Sequence, residues 1–226
     1  MSCVYNVSSC LFATEMLVTG VRDAAHACGL HVHVDGARLF NAATALSCPV
    51  GDIADFVDSG TFCLSKGLGA PVGSVVFGSS DMIAKARAMR KMVGGGMRQA
   101  GVIAAAGLYA LDHNVTRLAE DHANARELAA GLAKVSGIRI LNPEVESNIV
   151  YVQVDGSSAW SSKQSALEEQ DPISAETAAL TRGLEEVGIR VGGGYGAGGL
   201  RLVTHKDVTA ADVAHLVETV DLVLNN

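Results

Sequence analysis

The stretch Thr61-Phe62-Cys63-Leu64-Ser65-Lys66-Gly67-Leu68-Gly69-Ala70-Pro71 constrains this chain more than any other. Mostly apolar, strand-forming residues run into a lone lysine, and two glycines and a proline then turn the backbone away. This pattern puts Lys66 at the rim of a buried sheet, where α/β proteins commonly present their reactive groups. A lysine amine stripped of water at such a rim is a nucleophile toward carbonyl carbon, so Schiff-base chemistry is the first expectation. A Ser-Lys-Gly run taken alone reads more simply as a surface lysine at a turn. The choice between the two depends on what else points to Lys66.

Strands and helices alternate around this stretch. Thr14 is suited to cap a helix whose apolar positions Leu17, Val21, Ala24, Ala25 and Cys28 share a face and which Gly29 stops. Residues 30–34 read as a strand ending at Asp35, and Asp35-Gly36-Ala37-Arg38 opens a short helix. Pro49 and Gly51 break the chain, a turn covers 52–56, and strands follow over 58–65 and 72–77. Residues 1–13 read as strand and loop. This order predicts a mainly parallel α/β sheet with right-handed crossovers.

Helices are expected over about 81–91, 100–111 and 114–134. After Gly137 the texture changes to short strands at 138–141, 148–154, 189–191 and 200–205. A polar stretch over 155–174 carries Trp160, a helix covers 175–187, and Thr209 caps a last helix. The expected division is a large α/β domain over 1–136 and a small C-terminal α+β domain over 137–226.

Composition narrows the function classes. With 49% hydrophobic and 18% charged residues the chain can bury a substantial core, and no apolar run is long enough to span a bilayer. A net charge of -7 argues against nucleic acid or an anionic membrane as partner, since both favour clustered Lys and Arg. The five cysteines, Cys3, Cys10, Cys28, Cys48 and Cys63, are odd in number and lack CxxC spacing, so reduced thiols in the cytoplasm and no metal site are expected. The start shows no basic segment followed by an apolar one, and no secretory signal is expected.

Asp35 and Lys66 stand at two strand ends about thirty residues apart, a spacing that fits one crossover within a sheet. A carboxylate beside a Schiff-base lysine has a definite use: it keeps a pyridine nitrogen protonated so that the ring can take up electrons. A structural N-cap aspartate with a surface lysine is the competing reading of the same spacing. His33 and His205 read as packed or hydrogen-bonded histidines. The run from Gly192 to Gly199 precedes a strand and opens no helix, so it is not expected to bind a nucleotide.

The segments HVDGARLFNAA (His33 to Ala43), CLSKGLGAPVGSVVFGS (Cys63 to Ser79), RKMVGGGMRQAG (Arg90 to Gly101) and RLVTHKDV (Arg201 to Val208) closely resemble the low-specificity L-threonine aldolases. That family belongs to the pyridoxal-phosphate enzymes of the aspartate-aminotransferase fold and is related to the β-eliminating lyases. The resemblance covers nearly the whole chain from about residue 14. It implies pyridoxal 5'-phosphate as cofactor, with Lys66 forming the internal aldimine and moving protons at Cα, and Asp35 holding the pyridinium nitrogen. Arg38 and Arg201 are implied to hold the substrate carboxylate, and Arg98 to reach the cofactor phosphate or a neighbouring subunit's site. The implied reaction cleaves threonine or allo-threonine to glycine and acetaldehyde in a homodimer or homotetramer.

The family pattern also has an N-terminal portion with a glycine-rich phosphate loop and two histidines, for which residues 1–13 offer no counterpart. The expected sheet is therefore incomplete at its N-terminal side. Two alternatives stay open: a β-eliminating amino-acid lyase, and a truncated, non-catalytic subunit of the same fold.

Overall fold

The computed structural model of the chain describes residues 2–6, 15–155, 174–192, 194–195 and 199–225. These fall into two compact units, residues 1–119 and 120–226. The division comes earlier than the change of texture at Gly137, because the helix before that glycine packs with the strands beyond it. Trp160 and most of the polar stretch around it lie outside the described residues, as does Thr14.

The first unit is built on a four-stranded sheet in the order β1 (Ser2–Asn6), β2 (His31–Gly36), β3 (Ser59–Cys63), β4 (Ser74–Gly78). The first three strands are parallel and β4 runs antiparallel to β3. Helix α1 (Glu15–Ala27) crosses from β1 to β2, and α2 (Leu39–Leu46) and α3 (Val50–Ala54) cross from β2 to β3. Gly29, at φ +67°, ends α1 where a side chain would be strained. Helices α4 (Ser80–Met92) and α5 (Gly101–His113) follow, the first capped by Ser79, whose hydroxyl accepts from Met82 N.

One face of the first sheet is apolar. Val32, Val34 and Gly36 are buried along β2, and a second group of buried residues gathers Leu64, Leu68, Ala70, Ala110 and Leu118 with Phe40, Phe62 and Val75 against them. At the amino-terminal edge Asp58 fastens α1 to the sheet. Its Oδ2 accepts from Val32 N at 2.7 Å and lies 3.0 Å from His26 Nε2. The His26 contact and then the Val32 bond hold this carboxyl below its ordinary range.

The second unit carries an antiparallel sheet in the order β5 (Ile138–Ile140), β6 (Ile149–Val154), β8 (Gly199–Val203), β7 (Gly194–Tyr195). Its apolar face, Val150, Val152, Val154, Leu200 and Leu202, packs on α6 (Leu118–Leu132), α7 (Ala175–Glu186) and α8 (Ala210–Asn225). Small residues let the helices approach: a Cβ on Gly131 would stand 2.7 Å from Val217 Cγ2. Thr209 and Asp212 exchange bonds at the start of α8, Thr209 N donating to Asp212 Oδ2 at 2.8 Å and Asp212 N to Thr209 Oγ1 at 3.2 Å.

Three expected elements differ. The turn expected over 52–56 is largely replaced by the short helix α3 (Val50–Ala54), which Pro49 introduces at its N-cap. Strand β2 continues through Asp35 to Gly36, so the aspartate sits inside the ladder and not beyond it. Residues 189–191 form no strand, because Ile189 and Val191 are drawn onto the apolar core and Ile189 N closes the end of α7 by donating to Leu184 O at 2.9 Å.

Two outcomes are expected from this packing. A Cβ at Gly60, in the middle of β3, would meet the Val34 side chain and stand 2.5 Å from the Phe77 ring, so Gly60→Ala is expected to cost about 1–3 kcal/mol in denaturant unfolding. In the second unit His122 is 3% exposed. Burial, assisted by Arg126, pushes its pKa down to about 4. The unfolded chain binds a proton there near pH 6.5 and the folded chain does not, so stability falls as pH drops from about 6.5 to 4. His122→Gln is expected to flatten that limb of the melting temperature against pH.

Candidate active site

The candidate site grows from the register of two parallel strands. His33 pairs with Ser59 and Asp35 with Thr61, so these four side chains share the sheet face opposite Val32, Val34 and Gly36. Contacts on this face agree with the pairing: His33 Nδ1 lies 2.9 Å from Ser59 Oγ, and Cys63 Sγ 3.5 Å from Ser74 Oγ on β4. His33 is thus a hydrogen-bonded residue of the ladder.

Asp35 is partly buried, yet its side chain has no hydrogen bond or ion pair among the described residues. A carboxylate withdrawn from water without a partner is unfavourable, and a hydrogen-bond donor or cation brought to it regains that cost. Adjacent strands lie about 4.8 Å apart, so the carboxyl-terminal ends of β2 and β3 adjoin and the turn bearing Lys66 leaves from beside Asp35's strand.

That turn is pinned from three directions. Leu64 is buried in the core, its N–H donating to Gly73 O and its carbonyl accepting from Ala70 N, each at 2.9 Å. Gly69, at φ +71°, donates to Lys66 O at 2.8 Å, a conformation that favours glycine. Asn114, at the end of α5, donates Nδ2 to Leu68 O at 2.7 Å. At Gly67 a Cβ would stand 2.9 Å from Leu118 Cδ2 and 3.0 Å from Asn41 Oδ1. The backbone on both sides of Lys66 is therefore fixed, while the lysine itself is exposed.

Exposure corrects the expectation of a desolvated amine. None of the described residues strips Lys66 of water, so desolvation there has to come from whatever covers the open face. The amine likewise has no hydrogen bond or ion pair among the described residues.

Arg38, three residues after Asp35, occupies the N-cap of α2 with φ −127° and does not cap it through its side chain. It is partly buried and engaged by other groups. Its neighbour Gly36 admits no side chain, since a Cβ would come within 2.6 Å of Thr61 O. Arg98 is exposed in the turn between α4 and α5. Arg201 belongs to the second unit, exposed on β8 opposite Tyr151 of β6. The first unit thus brings Asp35, Lys66 and Arg38 to one end of its sheet. Asn41 and Asn114, which buttress the lysine turn, escaped sequence reasoning, because their role depends on contacts 26 and 46 residues distant.

A carboxylate unpaired among the described residues and an accessible amine, at adjoining strand ends, suit a ligand with a basic ring nitrogen and a carbonyl group. No group of three or more His, Cys, Asp or Glu side chains among the described residues is arranged to hold a metal. Among them, no helix is long and apolar enough to cross a membrane.

Comparison with known proteins agrees with this chemistry. Residues 14–155 match the model of the beta-eliminating lyases. The chain is 41% identical over 198 residues to a protein of Arabidopsis thaliana described as a probable low-specificity L-threonine aldolase, covering 88% of this chain and 51% of that protein. It is 49% identical over 130 residues to the low specificity L-threonine aldolase of Escherichia coli, 58% of this chain and 38% of the relative. The chain thus spans about half the length, or less, of these curated relatives. Among solved structures, the threonine aldolase of Leishmania major superposes with a TM-score of 0.69 at 18% identity, covering 98% of this chain and 61% of that one. SPT with a PLP internal aldimine superposes with a TM-score of 0.64 at 19% identity over 98% of this chain and 54% of that one. The fold is therefore the α/β fold of the pyridoxal-phosphate enzymes of the aspartate-aminotransferase type. With more than half its residues matched to the family model, the chain belongs to the beta-eliminating lyase family.

Proposed function

We propose that the chain carries the cofactor-linking half of a pyridoxal-phosphate aldehyde-lyase that cleaves threonine or allo-threonine to glycine and acetaldehyde. The observation that carries this reading is Asp35, a partly buried carboxylate without a partner among the described residues, beside the fixed turn that presents Lys66. When bound, the cofactor supplies an electrophilic carbon for amines and a ring that accepts the electron pair released at Cα. Lys66 is the amine that would join it covalently, and the same amine would take up and return a proton at Cα. Asp35 would accept the N–H of the pyridine ring and keep that nitrogen protonated.

Arginines suit a carboxylate or phosphate because their fork can engage two oxygens at once. Arg38 and Arg201 are proposed to hold the substrate carboxylate, and Arg98 to reach the cofactor phosphate. The names of the Arabidopsis and Escherichia coli relatives support the substrate class. The proposed setting is the cytoplasm, in a homodimer or homotetramer. The family model also describes β-elimination, which keeps a second reaction on the same residues in view.

Adding pyridoxal phosphate to the chain is expected to produce a visible absorption band in the wild type and none in Lys66→Ala. Colour in neither protein, or equal colour in both, would overturn the catalytic reading in favour of a non-catalytic subunit. Asp35→Asn is expected to keep the band yet lose about a hundredfold or more in turnover, about 2.7 kcal/mol of barrier. Acetaldehyde from threonine and allo-threonine is the expected product. Release of a 2-oxo acid and ammonia from an amino acid with a β-leaving group, without acetaldehyde from threonine, would instead establish β-elimination.

A further inference from the structure

Arg201 stands on the face of the second sheet that points away from the unit's core. Its neighbours Leu200 and Leu202 are buried on the opposite face with Val150 and Val152. Directly across the ladder on Arg201's face is Tyr151, paired with it in register. Side chains directly opposite on antiparallel strands have Cβ atoms about 5 Å apart, close enough for an arginine stem and guanidinium to lie along an aromatic ring. Tyr151 is partly buried and Arg201 exposed, the order expected when the ring is the fixed plate and the arginine the side chain laid over it.

Tyr151 is held more tightly than its strand alone would hold it. Strand β5 ends at Ile140, but its pairing with β6 is carried further by the next two residues. Leu141 N donates to Tyr151 O at 2.8 Å, and Tyr151 N donates to Asn142 Oδ1 at 2.7 Å. Asn142 Nδ2 in turn donates to Ile149 O at 2.9 Å, so one amide side chain does the work of a further strand residue. Pro143 comes next and ends any continued ladder. Both backbone groups of Tyr151 are satisfied on that side, so Tyr151 and Arg201 face each other as a pair without mutual backbone bonds, the closer of the two antiparallel pairings. One pair further along, Arg139 donates to Gln153, which is buried, so the second arginine of this face is committed to the scaffold.

We propose that Tyr151 is a positioning residue for Arg201. Its ring sets the direction of the guanidinium, and Asn142 fixes the ring by locking the Tyr151 backbone. This rests on the reading of Arg201 as a carboxylate-binding residue, which it refines. A guanidinium held along one line accepts a carboxylate with less loss of side-chain freedom than a mobile one, so the ring affects substrate affinity more than the chemical step.

The direct test follows the Nε–H signal of Arg201 by 15N NMR in the full chain without cofactor, assigned by its loss in Arg201→Lys. The heteronuclear NOE is expected to report an ordered Nε–H in wild type and Tyr151→Phe, and a mobile one in Tyr151→Leu. Asn142→Ala, which keeps the ring but releases the Tyr151 backbone, is expected to fall between them. An Nε–H that is mobile in the wild type, or equally ordered in Tyr151→Leu, would overturn the proposal. With pyridoxal phosphate added, Tyr151→Leu is expected to raise KM for threonine about two- to fivefold with kcat unchanged, and Tyr151→Phe to restore it. A fall in kcat at constant KM would contradict a positioning role. An ordered Arg201 in a chain that forms no absorption band would leave the positioning intact and remove the catalytic reading, so the two failures are separable.

Discussion

The parallel pairing of β2 with β3 decides what the first unit can do. Because Asp35 is opposite Thr61, its side chain projects from the face that carries His33, Ser59 and Thr61, while Val32, Val34 and Gly36 fill the other. Slipping that register by one residue would reverse every side chain of β2, burying Asp35 among aliphatic groups and exposing the valines. The apolar face therefore enforces the placement of the carboxylate: packing of Val32 and Val34 supplies the stability, and an aspartate with no partner among the described residues is the consequence. Proteins tolerate such a group where a ligand completes it.

The lysine turn is fixed by a different means. Leu64 anchors it in the core, Gly69 permits its tight closure, and Gly67 lets the backbone lie against Asn41 and Leu118. The rigidity belongs to the backbone, while the amine is left in solvent. That combination suits a group that must first be reached by a cofactor and then held at a constant place relative to it. In the second unit a comparable division holds: Leu200 and Leu202 tie β8 into the core, and Arg201 between them is presented on the opposite face.

Much of this was legible in the sequence because it depends on short-range patterns. The strand and turn around Lys66, the stop at Gly29 and the cap at Thr209 each depend on residues within one element. The extension of β2 through Asp35 was not legible, since only pairing with Thr61 and Phe62 keeps Asp35 and Gly36 in the ladder. The segment 189–191 has the composition of a strand, yet Ile189 and Val191 bury themselves in the core without pairing, a tertiary choice that β-propensity does not encode. The exposure of Lys66 was also hidden, because local pattern reveals that a residue comes after a buried strand but not which neighbours reach over it. Asn142 extending a strand by its side chain leaves no signature beyond an asparagine before a proline.

The central claim is that Lys66 is the amine joined to the cofactor's carbonyl carbon. Borohydride reduction of the chain mixed with pyridoxal phosphate, followed by proteolysis and mass spectrometry, tests it at residue resolution. The pyridoxyl mass is expected on the peptide containing Lys66, at one group per chain. Label spread over Lys85, Lys91 and Lys134 with Lys66 no more modified than they are would contradict it.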